Sequence, residues 1–306
     1  MTDRDDGHHE HGSTPGWSER LTFTFFDEAA GFGGIARLVF RPLERAADGT
    51  INLFVPNQAV ATVLAKGAWE GAGRTQVGRI RFERHDAMGT WHIGCKDVAL
   101  VFPKVGPRGL PKSGRRTGAA SPVEMDLSFE PWSEPAGHVE RSKHIDEMGF
   151  VQVTSAGRFE QPGRMSGRIR VAALQGSIDG TAVRARAWGL GPSPSRWITV
   201  AFDQGLSLGV RWVSFGDRRE QAGWVARAGE VRAVRGFHLE TDYEGRALAA
   251  LRLALTDETG ERHAVTGETV ATMPVTDGTQ RARQAMMAFE CEGKRAQGLI
   301  EYADDV

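Results

Sequence analysis

Gly157-Arg158-Phe159-Glu160-Gln161-Pro162-Gly163, then Gly176-Ser177-Ile178-Asp179-Gly180, then Arg184-Ala185-Arg186-Ala187-Trp188-Gly189: this central run, continued by 197–215, decides the fold. Short apolar pieces punctuated by glycine and Asp-Gly are the pattern of antiparallel strands joined by tight turns. The piece 197–215 reads as a hairpin turning at Asp203-Gln204-Gly205, and Asp179-Gly180 reads as another hairpin turn. Polar groups lie beside aromatic ones more densely here than elsewhere. The joint between two β domains is therefore expected here, dividing 17–160 from 161–306.

The flanking sequence repeats the pattern. Leu21, Phe23 and Phe25 alternate with Thr22 and Thr24, and Ile51, Leu53 and Val55 with Asn52 and Phe54. Trp91, Ile93 and Cys95 alternate with His92, Gly94 and Lys96, and Met125, Leu127 and Phe129 repeat the period. A period of two is the signature of a half-buried strand. Similar runs fill 224–228, 231–239, 248–255 and 297–302, with a turn at 257–260. The stretch 281–289 has good helix formers and stays ambiguous, and 138–148 reads as a short helix or an irregular connector. Pro107, Arg108, Pro111, Lys112, Arg115 and Arg116 mark 105–121 as a mobile basic loop. The fold class is all-β, two antiparallel barrels or sandwiches packed together. Such shells enclose either a ligand cavity or an ordinary packed core, and the aromatic content suits both.

The whole chain carries 38 Lys and Arg against 39 Asp and Glu, a formal charge of −1. It offers no overall field for nucleic acid or an anionic membrane. Cys95 and Cys291 read as free thiols in a reducing, cytoplasmic setting. No apolar run approaches the roughly 20 residues of a membrane helix. The stretch 1–16, with its acids, glycines and His8, His9 and His11, reads as a disordered tail. Outside it the sequence offers no closely spaced metal ligands, and no Walker loop, nucleophile elbow or dinucleotide fingerprint, so neither metal nor cofactor is expected. The oligomeric state stays open.

The order of these features resembles the two-domain lipocalin-like proteins that include carotenoid hydratases (hydroxyneurosporene synthases), with tocopherol cyclase and fungal decalin-forming cyclases as distant relatives. The resemblance rests on Phe25-Phe26-Asp27, Gly33-Gly34 and Leu53-Phe54-Val55-Pro56 in the first half. In the second it rests on Phe159-Glu160-Gln161, Asp179-Gly180, Trp188-Gly189 and Trp197 followed by Asp203-Gln204-Gly205. It implies a lipocalin-like fold for each domain and chemistry on an apolar, isoprenoid or polycyclic molecule. Many relatives carry Arg-Asp-His-Ser-Trp-Gly where this chain has Arg184-Ala185-Arg186-Ala187-Trp188-Gly189. The acid, imidazole and hydroxyl positions hold Ala185, Arg186 and Ala187, so a proton route through that Asp–His pair is absent.

The expected function is binding of an apolar small molecule at the domain junction, with a cofactor-independent acid–base rearrangement: isomerisation, cyclisation, hydration or dehydration. The alternative is a carrier without chemistry on the same scaffold. Glu160 is the first candidate for proton transfer, because burial raises a carboxyl's proton affinity. His92 is a second acid–base candidate. Arg186 and Arg184, two apart on a strand, share one face and could hold an oxyanion. Gln161, Trp188, Trp197 and Trp212 are the remaining expected binding residues, and a salt bridge or core packing is the plain structural reading of each set.

Overall fold

The computed structural model describes residues 3–9, 15–56, 59–71, 73, 75–102, 118–145, 151–189, 196–215, 218–245, 247–277 and 280–303. The chain is all-β, built as two antiparallel lipocalin-like units. The first comprises β1 (Ser18–Asp27), β2 (Phe32–Arg41), β3 (Ala46–Val55), β4 (Ala59–Ala68), β5 (Gln76–Val77), β6 (Ile80–Arg84), β7 (Trp91–Phe102), β8 (Ala119–Pro131), β9 (Ala136–Ile145), β10 (Val151–Val171) and β11 (Leu174–Gly189). Its order is β4-β3-β2-β1-β11-β10-β8-β7-β6-β5, with β9 beside β10. A further pairing of β4 with β7, at Val60–Thr62 against Leu100–Phe102, returns the sheet on itself. The second unit is a closed barrel of β12 (Arg196–Asp203), β13 (Leu206–Phe215), β14 (Arg218–Arg227), β15 (Glu230–Glu244), β16 (Ala247–Asp257), β17 (Arg262–Asp277), β18 (Gln280–Cys291) and β19 (Lys294–Ala303). Among the described residues no helix is long and apolar enough to cross a membrane.

Several local expectations change. A division at 160/161 would cut β10, a strand of 21 residues paired along its length with β11; the sheets separate between Gly189 and Arg196. Of the stretch 138–148, residues 138–145 are neither helix nor connector but part of β9 and 146–148 lie outside the described residues, and 281–289 lies in β18. Asp179-Gly180 is not a turn. It sits inside β11, and the β10–β11 hairpin turns at Ala172-Ala173, with Ala172 at φ 54°. The basic loop expected over 105–121 falls outside the described residues as far as 117, and β8 has begun by Ala119. The 203–206 hairpin turn stands as expected, with the Asp203 carboxylate accepting from the Gly205 and Leu206 amides.

Alternation places the inward face of the first unit. Leu21, Phe23 and Phe25 of β1 point in, with Phe82, Trp91 and Phe129. Phe23 packs its ring at 5.2 Å from Phe82 and 5.5 Å from Phe129, which fills the middle of this shell with aromatic carbon. In the second barrel Leu208, Val210, Leu253, Met287, Phe289 and Ile300 form the core.

The outward face of β1, β10 and β11 is buried against the second barrel. Phe26, Ile35 and Ala185 meet Trp197, Met286 and Leu299. Polar pairs run through the same contact. Arg37 Nη2 donates to Glu301 at 2.7 Å, Gln284 donates to Glu301 at 2.8 Å, and Asn52 donates to Gln284 at 3.0 Å. Burial pushes the Glu301 carboxyl up, but the Arg37 guanidinium and the Gln284 amide outweigh it and hold it below its usual value.

Glu160 is the pin of this contact. Trp224 Nε1 of β14 donates to its Oε2 at 3.0 Å and Arg158 Nε to its Oε1 at 3.0 Å. Gly209 of β13 makes the approach possible: a Cβ there would lie 2.5 Å from both Glu160 Oε2 and Trp224 Nε1. Replacing Trp224 by Phe keeps the ring but strands a buried carboxylate oxygen. A loss of about 2 kcal/mol is expected, read as a lower urea midpoint at unchanged slope. Gly209→Ala should weaken the protein as well, and an unchanged midpoint in both variants would show that Glu160 does not join the units.

Candidate functional site

β10 and β11 are neighbours, and their register fixes which side chains share a face. Gln161 pairs with Arg184, Phe159 with Arg186 and Gly157 with Trp188. These six point into the first unit. Glu160 and Arg158, opposite Ala185 and Ala187, point to the second barrel. Glu160 and the two arginines, expected to act together, therefore stand on opposite sides of one sheet.

The inward set forms a buried polar cluster at one end of the shell. Arg184 and Arg186 are 0% and 1% exposed. Arg184 Nη1 donates to Asp6 Oδ1 at 2.6 Å, and Nη2 donates to Gln161 Oε1 at 2.7 Å. Its guanidinium lies over the rings of Phe159 at 5.0 Å and Trp91 at 5.4 Å. Gln161 is oriented in turn by donating to the Met88 and Ser133 carbonyls at 3.1 and 2.9 Å. Arg186 Nη2 donates to Glu19 Oε2 at 2.6 Å and to the Gly7 carbonyl at 2.5 Å.

Asp6 and Gly7 belong to the stretch expected as a disordered tail. Residues 3–9 are instead packed: Asp3–Asp6 is a turn of 3-10 helix, and Asp5 and Asp6 are buried. The reason is electrostatic. Two guanidiniums in an apolar interior need counter-charge, and Asp6 supplies it beside Glu19. The Met88 amide donates to Asp6 Oδ2 at 2.9 Å. His8 Nδ1 lies 2.8 Å from Glu19 Oε2, and the His9 amide donates to Glu19 Oε1 at 2.5 Å. The His9 ring stacks on Trp188 at 3.8 Å, and Trp188 in turn lies flat on Gly157, where a Cβ would meet it at 2.4 Å. His11 lies outside the described residues.

These contacts set the charges. Burial pushes the Glu19 carboxyl up, but the His8 and His9 hydrogen bonds and the Arg186 guanidinium outweigh it and hold it far below its usual 4.5. Burial pushes Arg184 down to about 10, opposed by Asp6, and pushes Arg186 down against Glu19 and Asp6. Both stay cationic at neutral pH.

The other expected site residues lie elsewhere. Trp197 is at the junction under the Arg158 guanidinium, 4.7 Å away. The junction cavity, lined by Arg20, Arg37, Arg158, Trp197 and Glu301, holds about 20 Å³. That is room for about one water, against the ~300 Å³ of a ligand site. Trp212 packs against the second barrel's core beside Phe237 at 5.6 Å. His92 is on the outer wall, because Trp91 and Cys95 take the inward positions of β7. It sits 2.5 Å from Asp126 in an open groove of about 760 Å³ with Arg81, Lys96, Arg168 and Arg170. The three tryptophans thus occupy three compartments and line no common cavity.

Sequence reading also missed Asp257, Glu261 and His263, whose ligand atoms lie within 4.8 Å of one another. Arg232 donates to both acids, at 3.4 and 3.1 Å, and His263 Nδ1 lies 2.9 Å from Glu292, so the set is built as an ion-pair network. Glu19 was missed although a signal existed. It continues the inward series Leu21, Phe23, Phe25, and an acid on a core face calls for a partner.

A family model described as a domain of unknown function, DUF7064, matches residues 2–306. The chain belongs to that family. No curated protein matches it. Two crystal structures share the DUF7064 chain's architecture. One is a Nitrosomonas europaea protein described as a candidate AttH, 14% identical, covering 100% of this chain and 97% of its own, with a TM-score of 0.61. The other is kievitone hydratase from Nectria haematococca, 12% identical, covering 97% of this chain and 92% of its own, with a TM-score of 0.60. At these identities the likeness establishes the lipocalin-like fold, which a hydratase shares, and assigns no residue a role.

The depressed Glu19 carboxyl gives a test by pH. A carboxyl lowered on folding contributes stability that is complete above its unfolded value and is lost as pH falls below it. Glu19→Gln should therefore be clearly less stable than the native protein near neutral pH, with the gap closing below about pH 4. Denaturant titrations at both ends measure it. Glu301 and Asp257, also depressed, are present in both proteins and cancel in the difference.

Proposed function

We propose that this protein binds a small apolar molecule, isoprenoid or polycyclic in type, that carries an oxyanion or carbonyl. We further propose that it catalyses a cofactor-independent acid–base rearrangement of that molecule: isomerisation, cyclisation, hydration or dehydration. The site moves from the domain junction to the inner end of the first unit. The observation that carries the reading is the pair of fully buried guanidiniums, Arg184 and Arg186, on one face of β11 among Trp91, Phe159 and Trp188. Buried charge of this kind is costly to maintain and is concentrated where a site acts on a ligand.

In this reading Arg184, oriented by Gln161, holds the substrate oxygen, and charge developing on that oxygen is stabilised in a site shut off from water. Glu19 is the proton-transfer group, since it is the carboxylate that shares the face. Arg186 is a positioning residue that fixes the Glu19 carboxylate at 2.6 Å. Glu160 is left a structural part, both oxygens accepting from Trp224 and Arg158. The fold shared with a hydratase supports the choice of reaction class. The carrier reading has an observation of its own: both Glu19 oxygens are already engaged by His8, His9 and Arg186.

Incubation with a panel of apolar carbonyl and carboxyl compounds in heavy water, followed by mass spectrometry, decides between them. The enzyme should exchange deuterium into carbon positions of its substrate or add or remove water. Glu19→Gln should cut that rate by roughly a hundredfold or more while binding persists, and Arg184→Gln should weaken both. Binding without any exchange, by a compound that Arg184→Gln no longer holds, would leave the carrier.

A further inference from the structure

We infer that residues 3–9 are a built-in ligand, with the Asp6 carboxylate standing where the carboxylate of an amphiphilic substrate binds Arg184, and that this substrate enters by displacing the segment. The inference rests on the function proposed above and names its substrate class, an apolar monocarboxylic acid.

Charge counting points to one negative charge. With the segment in place, Arg184 faces Asp6 and Arg186 faces Glu19. Withdrawing residues 3–9 removes Asp6, which also faces Arg84 at 3.9 Å, and leaves Arg184 without its carboxylate while Arg186 keeps Glu19. A monoanion restores the balance, and a carboxylate matches the guanidinium geometry that Asp6 now satisfies.

The segment is also held in a way that permits release. Among the described residues, 3–9 pair with no strand. Their attachment is through side chains, the Gly7 carbonyl and the His9 amide. Leaving the site therefore breaks no sheet ladder, unlike removal of a strand of the first unit. The fit is incomplete besides. Arg184 Nε, Arg186 Nε and Trp91 Nε1 are buried donors that no acceptor among the described residues meets, although such groups are ordinarily paired.

A place for the apolar body lies beside the His8 ring. The His8 ring lies edge-on to Phe40 at 5.4 Å and Trp69 at 6.4 Å. Those two rings also line a cleft of about 290 Å³ with Val77, Gln76, Lys66 and Glu70, close to the lower size of small-molecule sites. With His8 gone, this cleft would open toward Glu19, the partner of Arg186, and the Trp188 face now stacked on His9 would be bared. Displacement also prepares the chemistry. Glu19 loses the His8 and His9 hydrogen bonds that depress it and becomes a better base when substrate arrives.

The test uses the full chain with dansyl-labelled undecanoic acid and its methyl ester, read by fluorescence and by hydrogen exchange over residues 3–9. The acid should bind at least about tenfold tighter than the ester and should speed exchange in the segment, while the ester should not. Asp6→Asn, which weakens the built-in competitor, should raise affinity for the acid by about tenfold, the effect of one charge-assisted hydrogen bond. Arg184→Gln should abolish the preference for acid over ester. Equal binding of acid and ester, no binding of the acid to either native or Asp6→Asn protein, or acid binding that leaves exchange over 3–9 unchanged overturns the inference. The native exchange experiment stands even if a variant fails to fold. Segment release without deuterium transfer to any compound would uphold this inference and remove the enzymatic reading; the reverse pattern would remove only this inference.

Discussion

Two guanidiniums enclosed at the end of an apolar shell set the terms for the structure around them. Each ion taken from water costs several kcal/mol that only close, well-oriented counter-charge returns. The chain meets this from two directions: Glu19 from β1, the strand beside β11, and Asp6 from far outside the sheet. The segment 3–9 has almost no apolar content, and by composition it would not fold. It is ordered because the arginines need what it carries. Local composition describes a chain in water, whereas this segment folds against a charged cavity.

The second constraint is the two-residue period of a strand. β10 and β11 each carry one function on either side: Gln161, Arg184, Arg186 and Trp188 inward, Arg158, Glu160 and Ala185 outward. The outward set builds a junction too tight for a ligand, with Gly209 cleared so that Trp224 can reach Glu160. The inward set stays polar where the rest of the interior is aromatic and aliphatic. One hairpin therefore does two separate jobs, and their residues interleave in sequence while never meeting in space.

This explains what could be read in advance. Alternation in β1, β3, β7 and β8, with glycine-bounded runs in the second half, was enough for an all-β chain of two units, because patterning follows from half-buried sheets. The shared face of Arg184 and Arg186 followed from the same period. What the period cannot give is register across strands. Whether Glu160 or Gln161 faces those arginines depends on pairing 15 residues of β10 with β11, a non-local fact. The Asp179-Gly180 misreading has a local cause of another kind. A glycine at 180 signals a turn only if nothing else requires it, and here the Phe26 carbonyl would lie 2.2 Å from a Cβ. Helix formers in 281–289 yielded to strand because β17 and β19 claim both edges of β18.

The altered run on β11 ties these points together. Where relatives are expected to have an acid, an imidazole and a hydroxyl, this chain has Ala185, Arg186 and Ala187. In this structure the first and third positions face the junction and only the middle one faces the interior. The small side chains there suit the tight contact with Trp197. At the middle position a guanidinium replaces a group that can give up its proton near neutral pH by one that cannot. Under the proposed function, proton transfer on this face falls to the group the guanidinium holds, the Glu19 carboxylate at 2.6 Å. That carboxylate stands on β1 and, through its bonds to His8 and His9, is held by residues 3–9.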